Sequence, residues 1–305
     1  MGRKPNLYMS ESSGWFHMLR ISNAPTIVSN VMVGVALAYY AHNAQWAHQV
    51  THPPLQLFKP MVLVTIVLLL LYCSGMVLND AFDAKRDSVH RPERPIPRGI
   101  IDVKQAWFVG WLLVVIAVLL AFGINLVTGV ATIALAFSMV LYTFLHQSTL
   151  ASIPLMAICR GLVYVVAFAA FATQFSPILF IFCSAIIVYT AVLTLVGSVE
   201  HEKQNKLSWS IWLMVIPAGI AIVLLSPQSP ISWFAFCVLI IWTFVAWRRF
   251  QPNTYAPIAG MHSLLAGFAL LDVIFIASLG EYSIMITSVI CFALTVAAHR
   301  KILGT

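Results

Sequence analysis

The sequence predicts an all-α fold: a polytopic transmembrane helical bundle of nine to ten spans, with ten preferred and the N-terminus cytoplasmic. Of the 305 residues, 61% are hydrophobic and 9% are charged, whereas a soluble domain carries about 25% charged residues. Apolar runs of membrane length, about 17 to 25 residues, fill nearly the whole chain. Basic residues lie in alternate connections between these runs, as is typical of cytoplasmic loops.

Ten apolar segments account for the predicted spans. In chain order they run approximately over 24–41, 60–78, 104–122, 126–145, 152–173, 178–199, 208–225, 231–247, 260–278 and 283–299. With ten crossings, every lysine and arginine except Lys59 and Arg160 falls on the cytoplasmic side, as the positive-inside rule predicts. Removing a span would move later basic loops outside, so ten spans are preferred to nine. We expect one transmembrane domain over residues 1–305, in the cell's inner membrane.

The formal net charge of +7 follows this membrane distribution, so no nucleic-acid partner is expected. Acidic residues are scarce, and four of the ten lie in one segment, 79–99, which reads NDAFDAKRDSVHRPERPIPRG. On a continuous helix its asparagine and its three aspartates fall within an arc of about 100°. These residues are Asn79, Asp80, Asp83 and Asp87.

Carboxylates on one stripe of a helix repel one another unless a cation lies between them. Hard oxygen ligands in this arrangement suit Mg²⁺, which shares a substrate's phosphate oxygens, and the arginines downstream offer forked donors to phosphate. The segment therefore predicts a Mg²⁺–diphosphate site at the membrane surface. The alternative is a solvated cytoplasmic loop whose acids offset its own arginines, and the spacing of the acids disfavours it.

The run NDAFDAKRD followed by RPERPIPRG resembles the first aspartate-rich motif and the next segment of the UbiA superfamily of integral membrane prenyltransferases. The resemblance implies Mg²⁺-dependent transfer of a prenyl group from an isoprenoid diphosphate to a lipophilic acceptor within the membrane. An aromatic acceptor is the preferred choice, and the active site would face the cytoplasm. By motif position, the implied metal ligands are Asn79, Asp80, Asp83 and Asp87, of which Asp80 and Asp83 are also catalytic. Arg91 and Arg94 would bind diphosphate or order the loop.

Two segments depart from the family's sequence. The second acidic motif of the family corresponds here to GSVEHEKQNK, which leaves Glu200 and Glu202 as weaker metal ligands or as part of a solvated loop. Where the family often has a tyrosine and, four residues later, a diphosphate-binding lysine, this chain has Tyr142 and His146. These departures, and the ending LLAGFALLD, are similar to the EboC-like branch of the superfamily.

Polar residues inside the spans are the remaining candidates, because a charge within a membrane helix normally faces a cavity or a partner. Arg20 and Arg160 are expected to bind the diphosphate, although snorkelling or a structural partner is an alternative for Arg160. Asn30 and Tyr164 are expected to line the prenyl pocket, with helix–helix hydrogen bonding as the alternative for Asn30. Asp272 lies within the ninth predicted span, and its role stays open between structure and function.

Two functions are compatible with these features. The first is prenyl transfer. The second is a non-catalytic lipid or small-molecule carrier on the same fold that retains diphosphate binding, which the degenerate second motif and His146 favour. CDP-alcohol phosphatidyl transfer also uses membrane aspartates, but NDAFDAKRD lacks the D-G pair of that enzyme class.

Overall fold

Helices make up almost all of the residues described by the computed structural model, 11–45, 55–172, 176–198, 206–226, 228–251 and 254–301. In chain order the α-helices are α1 (Glu11–Met18), α2 (Ala24–Gln45), α3 (Leu55–His90), α4 (Val103–Ile124), α5 (Leu126–Leu145), α6 (Thr149–Ala169), α7 (Pro177–Ser198), α8 (Ile216–Leu225), α9 (Pro230–Arg248), α10 (Pro257–Ser278) and α11 (Tyr282–Lys301). Two 3₁₀ helices, Ile21–Asn23 and Lys206–Met214, precede α2 and α8.

Nine helices in this described part of the chain are long and apolar enough to cross a membrane, which confirms the predicted all-α transmembrane bundle. The exception among the ten predicted segments is 208–225, where a 3₁₀ helix is followed by the ten-residue helix α8. Pro217 stands in the first turn of α8, and a proline cannot continue an α-helix from the preceding turn. The preferred tenth span is therefore a shorter, broken helix.

The long helix α3 carries the acidic segment. Its 36 residues extend about 54 Å, well beyond the roughly 30 Å of a hydrocarbon core. The helix continues without a break through Asn79 and Asp87 to His90, which meets the condition under which the acidic residues share one face. A turn-rich loop then leads to α4, whose first turn is capped by the Asp102 carboxylate, which accepts from the Lys104 backbone N–H at 2.8 Å.

Helix α10 lies inside the bundle, packed against α2, α7, α8, α9 and α11. Every residue from Ala266 to Ser278 is buried. Nearby, α2 and α6 cross closely at Gly34, where a Cβ atom would lie 2.5 Å from the Ala167 Cβ and 2.7 Å from its carbonyl carbon. Small residues permit such close helix crossings in membranes. The crossing brings α2, α6 and α10 together beside the cavity described below.

Candidate active site

The three aspartates of α3 are buried, with exposed fractions of 7% for Asp80, 2% for Asp83 and 1% for Asp87. Arg94, in the loop after α3, lies between two of them. Its Nη1 donates to Asp80 Oδ1 at 3.2 Å and to Asp87 Oδ2 at 2.6 Å. Because buried charges are costly unless paired, this arginine compensates much of the cluster's negative charge.

Arg20 approaches the same cluster from the other side, with its Nη2 at 3.6 Å from Asp80 Oδ1. It lies at the break between α1 and α2 with a φ of 44°, a left-handed conformation that is uncommon for a residue other than glycine. The Tyr72 hydroxyl donates to the Arg20 carbonyl at 2.9 Å. The hydrogen bond from Tyr72, which lies on α3, holds this unusual turn in place. The turn directs the Arg20 side chain toward the acidic cluster.

Asp83 has two basic neighbours. Arg86 donates to it at 3.3 Å, and His146 Nε2 lies 3.0 Å from Asp83 Oδ2. The other ring nitrogen of His146, Nδ1, lies 2.7 Å from the carbonyl oxygen of Thr143. Both ring nitrogens therefore face oxygen atoms that can accept a hydrogen bond. The sequence placed His146 at the family's lysine position, and the fold brings it onto the acidic motif.

Asn79 differs from the aspartates because its buried Oδ1 has no hydrogen-bond partner within the described structure. An unpaired buried oxygen costs about 1–3 kcal/mol, which a cation would offset. No three His, Cys, Asp or Glu side chains of the described residues converge on a point that could hold a metal. Mg²⁺ needs fewer protein ligands than that, since it keeps waters and shares phosphate oxygens. The oxygen donors of this segment fit Mg²⁺.

A cavity of about 260 Å³ opens beside Asn79. Arg20, Asn79 and Tyr142 line it near the acidic cluster, and Arg160 lines it further along α6. Its other walls are mainly apolar and include Leu68, Leu71, Leu135 and Val163. The cavity thus joins a charged end to an apolar interior, a shape that accepts an amphiphilic ligand with a charged head and a hydrocarbon tail.

Asn30 and Tyr164 do not line this cavity, although the sequence analysis expected them to do so. Both are fully buried and both donate to Asp272 on α10, Asn30 at 2.8 Å and Tyr164 through its hydroxyl. The Ser29 hydroxyl donates to the same carboxylate. These residues therefore form a polar cluster behind the cavity wall. The sequence identified Asp272 as unusual, but it gave no sign of these partners, which come from two other helices.

Of the other predicted residues, Arg91 and Arg94 do not line the cavity. Arg91 is exposed, and its backbone N–H donates to the Asp87 carbonyl at 2.8 Å. Glu200 and Glu202, the candidates for a second metal site, lie outside the described residues. Arg94 is buried as an ion-pair partner of two aspartates, and the sequence suggested only its general role in binding diphosphate or ordering the loop.

Two curated relatives are digeranylgeranylglyceryl phosphate synthases. The one from Methanosarcina mazei is 43% identical over 94 residues, which cover 31% of each chain. The one from Methanosarcina barkeri is 40% identical over 95 residues, covering 31% of this chain and 32% of the relative. The aligned segments thus span about a third of the length of these relatives.

Solved structures share the fold. A UbiA homolog from Archaeoglobus fulgidus, bound to GPP and Mg²⁺, matches with a TM-score of 0.64 at 15% identity, over 90% of this chain and 99% of that one. A structure described as that of digeranylgeranylglyceryl phosphate synthase matches with a TM-score of 0.62 at 16% identity, over 89% of this chain and 99% of that one. The sequence profile of the UbiA prenyltransferase family matches residues 27–261. This multi-pass membrane protein belongs to the UbiA prenyltransferase family.

Proposed function

We propose that the protein transfers a prenyl group from an isoprenoid diphosphate to a lipophilic acceptor within the membrane. One observation carries the proposal: Asn79, with its unpaired buried oxygen, lines a mainly apolar cavity, and the three buried aspartates follow it on α3. Membership of the UbiA prenyltransferase family supports the same reaction class. In this reaction the bond between C1 of the prenyl group and the diphosphate oxygen breaks, and a bond from C1 to the acceptor forms as the acceptor loses a proton.

Asn79, Asp80, Asp83 and Asp87 would hold Mg²⁺, and Asp80 and Asp83 are the proposed catalytic carboxylates among them. When bound, Mg²⁺ supplies neutralisation of the charge that develops on the departing diphosphate. Arg94 and Arg20 lie against the same carboxylates, so their guanidinium groups are near enough to donate to diphosphate oxygens as well. The proposed role of Glu200 and Glu202 as further metal ligands rests on the sequence alone.

The chain's own residues would divide the remaining work. Tyr142 lines the charged end of the cavity and packs beside His146, with 5.7 Å between ring centroids, so both are placed to contact the diphosphate. The apolar walls around Leu71 and Leu135 would hold the prenyl chain and exclude water from the allylic centre. His146 and the weak second motif also support assignment to the EboC-like branch, which stays a proposal.

The acceptor is the least constrained part of this function. The sequence analysis preferred an aromatic acceptor. The curated relatives are instead named for digeranylgeranylglyceryl phosphate, a product with two geranylgeranyl groups on glyceryl phosphate. We therefore propose a prenylated glyceryl phosphate, whose hydroxyl attacks C1 of the prenyl group, as the first acceptor to test. Cytoplasmic placement of the site is proposed from Lys85, Arg86 and the arginines that follow them.

The test is pyrophosphate release by purified protein in lipid, from a panel of prenyl diphosphates, with geranylgeranylglyceryl phosphate or a hydroxybenzoate as acceptor. We expect Mg²⁺-dependent release that Asp80→Asn and Asp83→Asn abolish. Asp102→Asn is the matched control, because that exposed carboxylate caps α4. Absence of any Mg²⁺-dependent binding of prenyl diphosphate would contradict the proposal.

The carrier remains the second candidate. The observation in its favour is that Arg94, Arg86 and His146 already pair with the aspartates, and no three carboxylates of the described residues converge on a metal position. A carrier would bind prenyl diphosphate with Mg²⁺ but would release no pyrophosphate with either acceptor. The same assay therefore separates the two functions.

A further inference from the structure

Arg160 is a cation deep within the bundle that lines the cavity. Asp83 contacts His146 just after α5, and α6 begins three residues later, at Thr149. From there Arg160 lies about 16 Å along α6, whereas Asn79 lies only about 6 Å along α3 from Asp83. By this count of helix rise Arg160 is about 10 Å deeper in the bundle than Asn79, and within the described residues no hydrogen bond or ion pair joins it to Asp80, Asp83 or Asp87.

Within the described residues, Arg160 forms no ion pair. Its Nη1 donates to Asn30 Oδ1 at 3.0 Å, and its guanidinium carbon lies 4.4 Å from the centroid of the Phe268 ring. A guanidinium has five N–H donors. Those not directed at Asn30 are available to a ligand in the cavity.

The position of Arg160 is built by three helices. Asp272 on α10 accepts from the Asn30 amide nitrogen at 2.8 Å, so the amide oxygen of Asn30 is left to face Arg160. Ser29 and Tyr164 donate to the same carboxylate, and all four side chains are buried. Phe268, one turn before Asp272 on α10, packs against the guanidinium. Asp272 and Asn30 are thus positioning residues for Arg160.

A cation without a direct ion-pair partner at this depth is unfavourable for prenyl transfer, because the allylic centre itself becomes positive as the diphosphate leaves. An anion on the second substrate removes that conflict and satisfies the unused donors. A carboxylate or phosphate matches a guanidinium in a bidentate geometry. The proposed glyceryl phosphate acceptor carries such a group, and its phosphate is separate from the diphosphate at the acidic motif.

We infer that Arg160 binds the phosphate of the acceptor lipid and selects acceptors that carry an acidic head group. The inference rests on the proposed function, since that function supplies the acceptor. Asp272, through Asn30, holds Arg160 in the orientation that this binding requires. In this arrangement the diphosphate of the prenyl donor binds to the Asn79–Asp87 motif, Arg20 and Arg94.

The test compares two lipids that differ only in the phosphate, geranylgeranylglyceryl phosphate and geranylgeranylglycerol, by calorimetric titration of the full chain in neutral-lipid nanodiscs. A hydrogen bond to a charged group contributes about 1.5–3 kcal/mol, so the wild type is expected to prefer the phosphate lipid by about 10- to 100-fold. Arg160→Gln should reduce that preference to near onefold. Arg98→Gln, an exposed arginine in the loop after α3, should keep it.

Two further titrations locate the binding group. Glycerol phosphate without a prenyl chain should bind much more weakly than the lipid, whereas equal binding would show a site for free phosphate. Geranylgeranyl diphosphate with Mg²⁺ should bind Arg160→Gln and wild type equally, and Asp83→Asn more weakly. If Arg160→Gln instead loses diphosphate affinity and keeps the acceptor preference, the inference is wrong.

A second variant at residue 160 tests the inference even if the first does not fold. If Arg160→Gln does not fold, Arg160→Lys should keep part of the phosphate preference but lower it several-fold, since an ammonium lacks the guanidinium fork. An unchanged preference in that variant contradicts the inference. The titrations measure binding and do not require prenyl transfer. If the phosphate preference depends on Arg160 but no prenyl transfer occurs, only the proposed function is refuted. If prenyl transfer occurs but the preference for the phosphate lipid does not change when Arg160 is replaced, only the inference is refuted.

Discussion

Replacing Arg94 with glutamine should destabilise the metal-free protein and increase its response to Mg²⁺. Arg94 is 9% exposed, and it donates at 3.2 Å to Asp80 and at 2.6 Å to Asp87. Glutamine keeps a polar side chain at this position but removes the charge. Asp80 would retain only the longer contact with Arg20, at 3.6 Å.

The magnitude follows from burial. Removing one partner of a buried ion pair costs about 3–5 kcal/mol, because the remaining charge is left uncompensated. Mg²⁺ can offset that cost in the variant, where it no longer competes with the two ion pairs of Arg94. Binding to the folded state at 100 times the dissociation constant stabilises by about 2.7 kcal/mol. Mg²⁺ should therefore raise the unfolding temperature of Arg94→Gln more than that of the wild type.

The assay is thermal unfolding of purified protein, followed by intrinsic fluorescence, over a series of Mg²⁺ concentrations with Ca²⁺ in parallel. Arg98→Gln serves as the control, because Arg98 lies in the same loop but is exposed. Equal unfolding temperatures for Arg94→Gln and wild type without metal would refute the claim that Arg94 compensates the buried acids. A smaller Mg²⁺ response in Arg94→Gln would refute the claim that arginine and metal compete for one carboxylate cluster.

Three other substitutions test neighbouring contacts. Gly34→Ala should lower the free energy of unfolding, measured by chemical denaturation, by about 1–3 kcal/mol, because its Cβ would meet Ala167 at 2.5 Å. Gly123→Ala is the control, since there is open space around its Cβ. His146→Lys should keep pyrophosphate release within a few-fold, and His146→Gln should reduce it at least about tenfold, since glutamine cannot carry the positive charge that lysine supplies beside Asp83. Asp272→Asn should weaken binding of the phosphate-bearing acceptor while leaving prenyl diphosphate affinity unchanged, as paired titrations would reveal.

The sequence predicted the parts of this fold that depend on local composition. Apolar length alone located nine membrane-crossing helices, and residue spacing placed the acidic stripe on one face if the helix continued past Leu78, which it does. The segment 208–225 was predicted as a tenth membrane span because it is mainly apolar, and the effect of Pro217 on the helix was not anticipated. A proline with room for a 3₁₀ turn before it interrupts a helix even within an apolar run.

Contacts between distant residues could not be predicted in the same way. Asp272 is separated from Ser29 and Asn30 by more than 240 residues, and one sequence holds no signal for that pairing. The ion pairs of Arg94 could not be predicted either. Several arginines follow α3, and the path of the loop determines which of them contacts the aspartates. Composition thus indicated which polar residues were unusual, and the packing of α2, α6 and α10 determined what they contact.

The depth of Arg160 constrains how two substrates could share one cavity. With the diphosphate at the Asn79 end and the acceptor's acid group about 10 Å deeper, the leaving group and the incoming head group bind to separate cations. Repulsion between the two anions is reduced by that distance, and each has its own donors. The prenyl chain must then pass Arg160 along the apolar wall formed by Leu71, Leu135 and Val163. An acceptor without an acid group would leave the guanidinium without a direct anionic partner in the cavity, so transfer to neutral alcohols should be slow even where they bind.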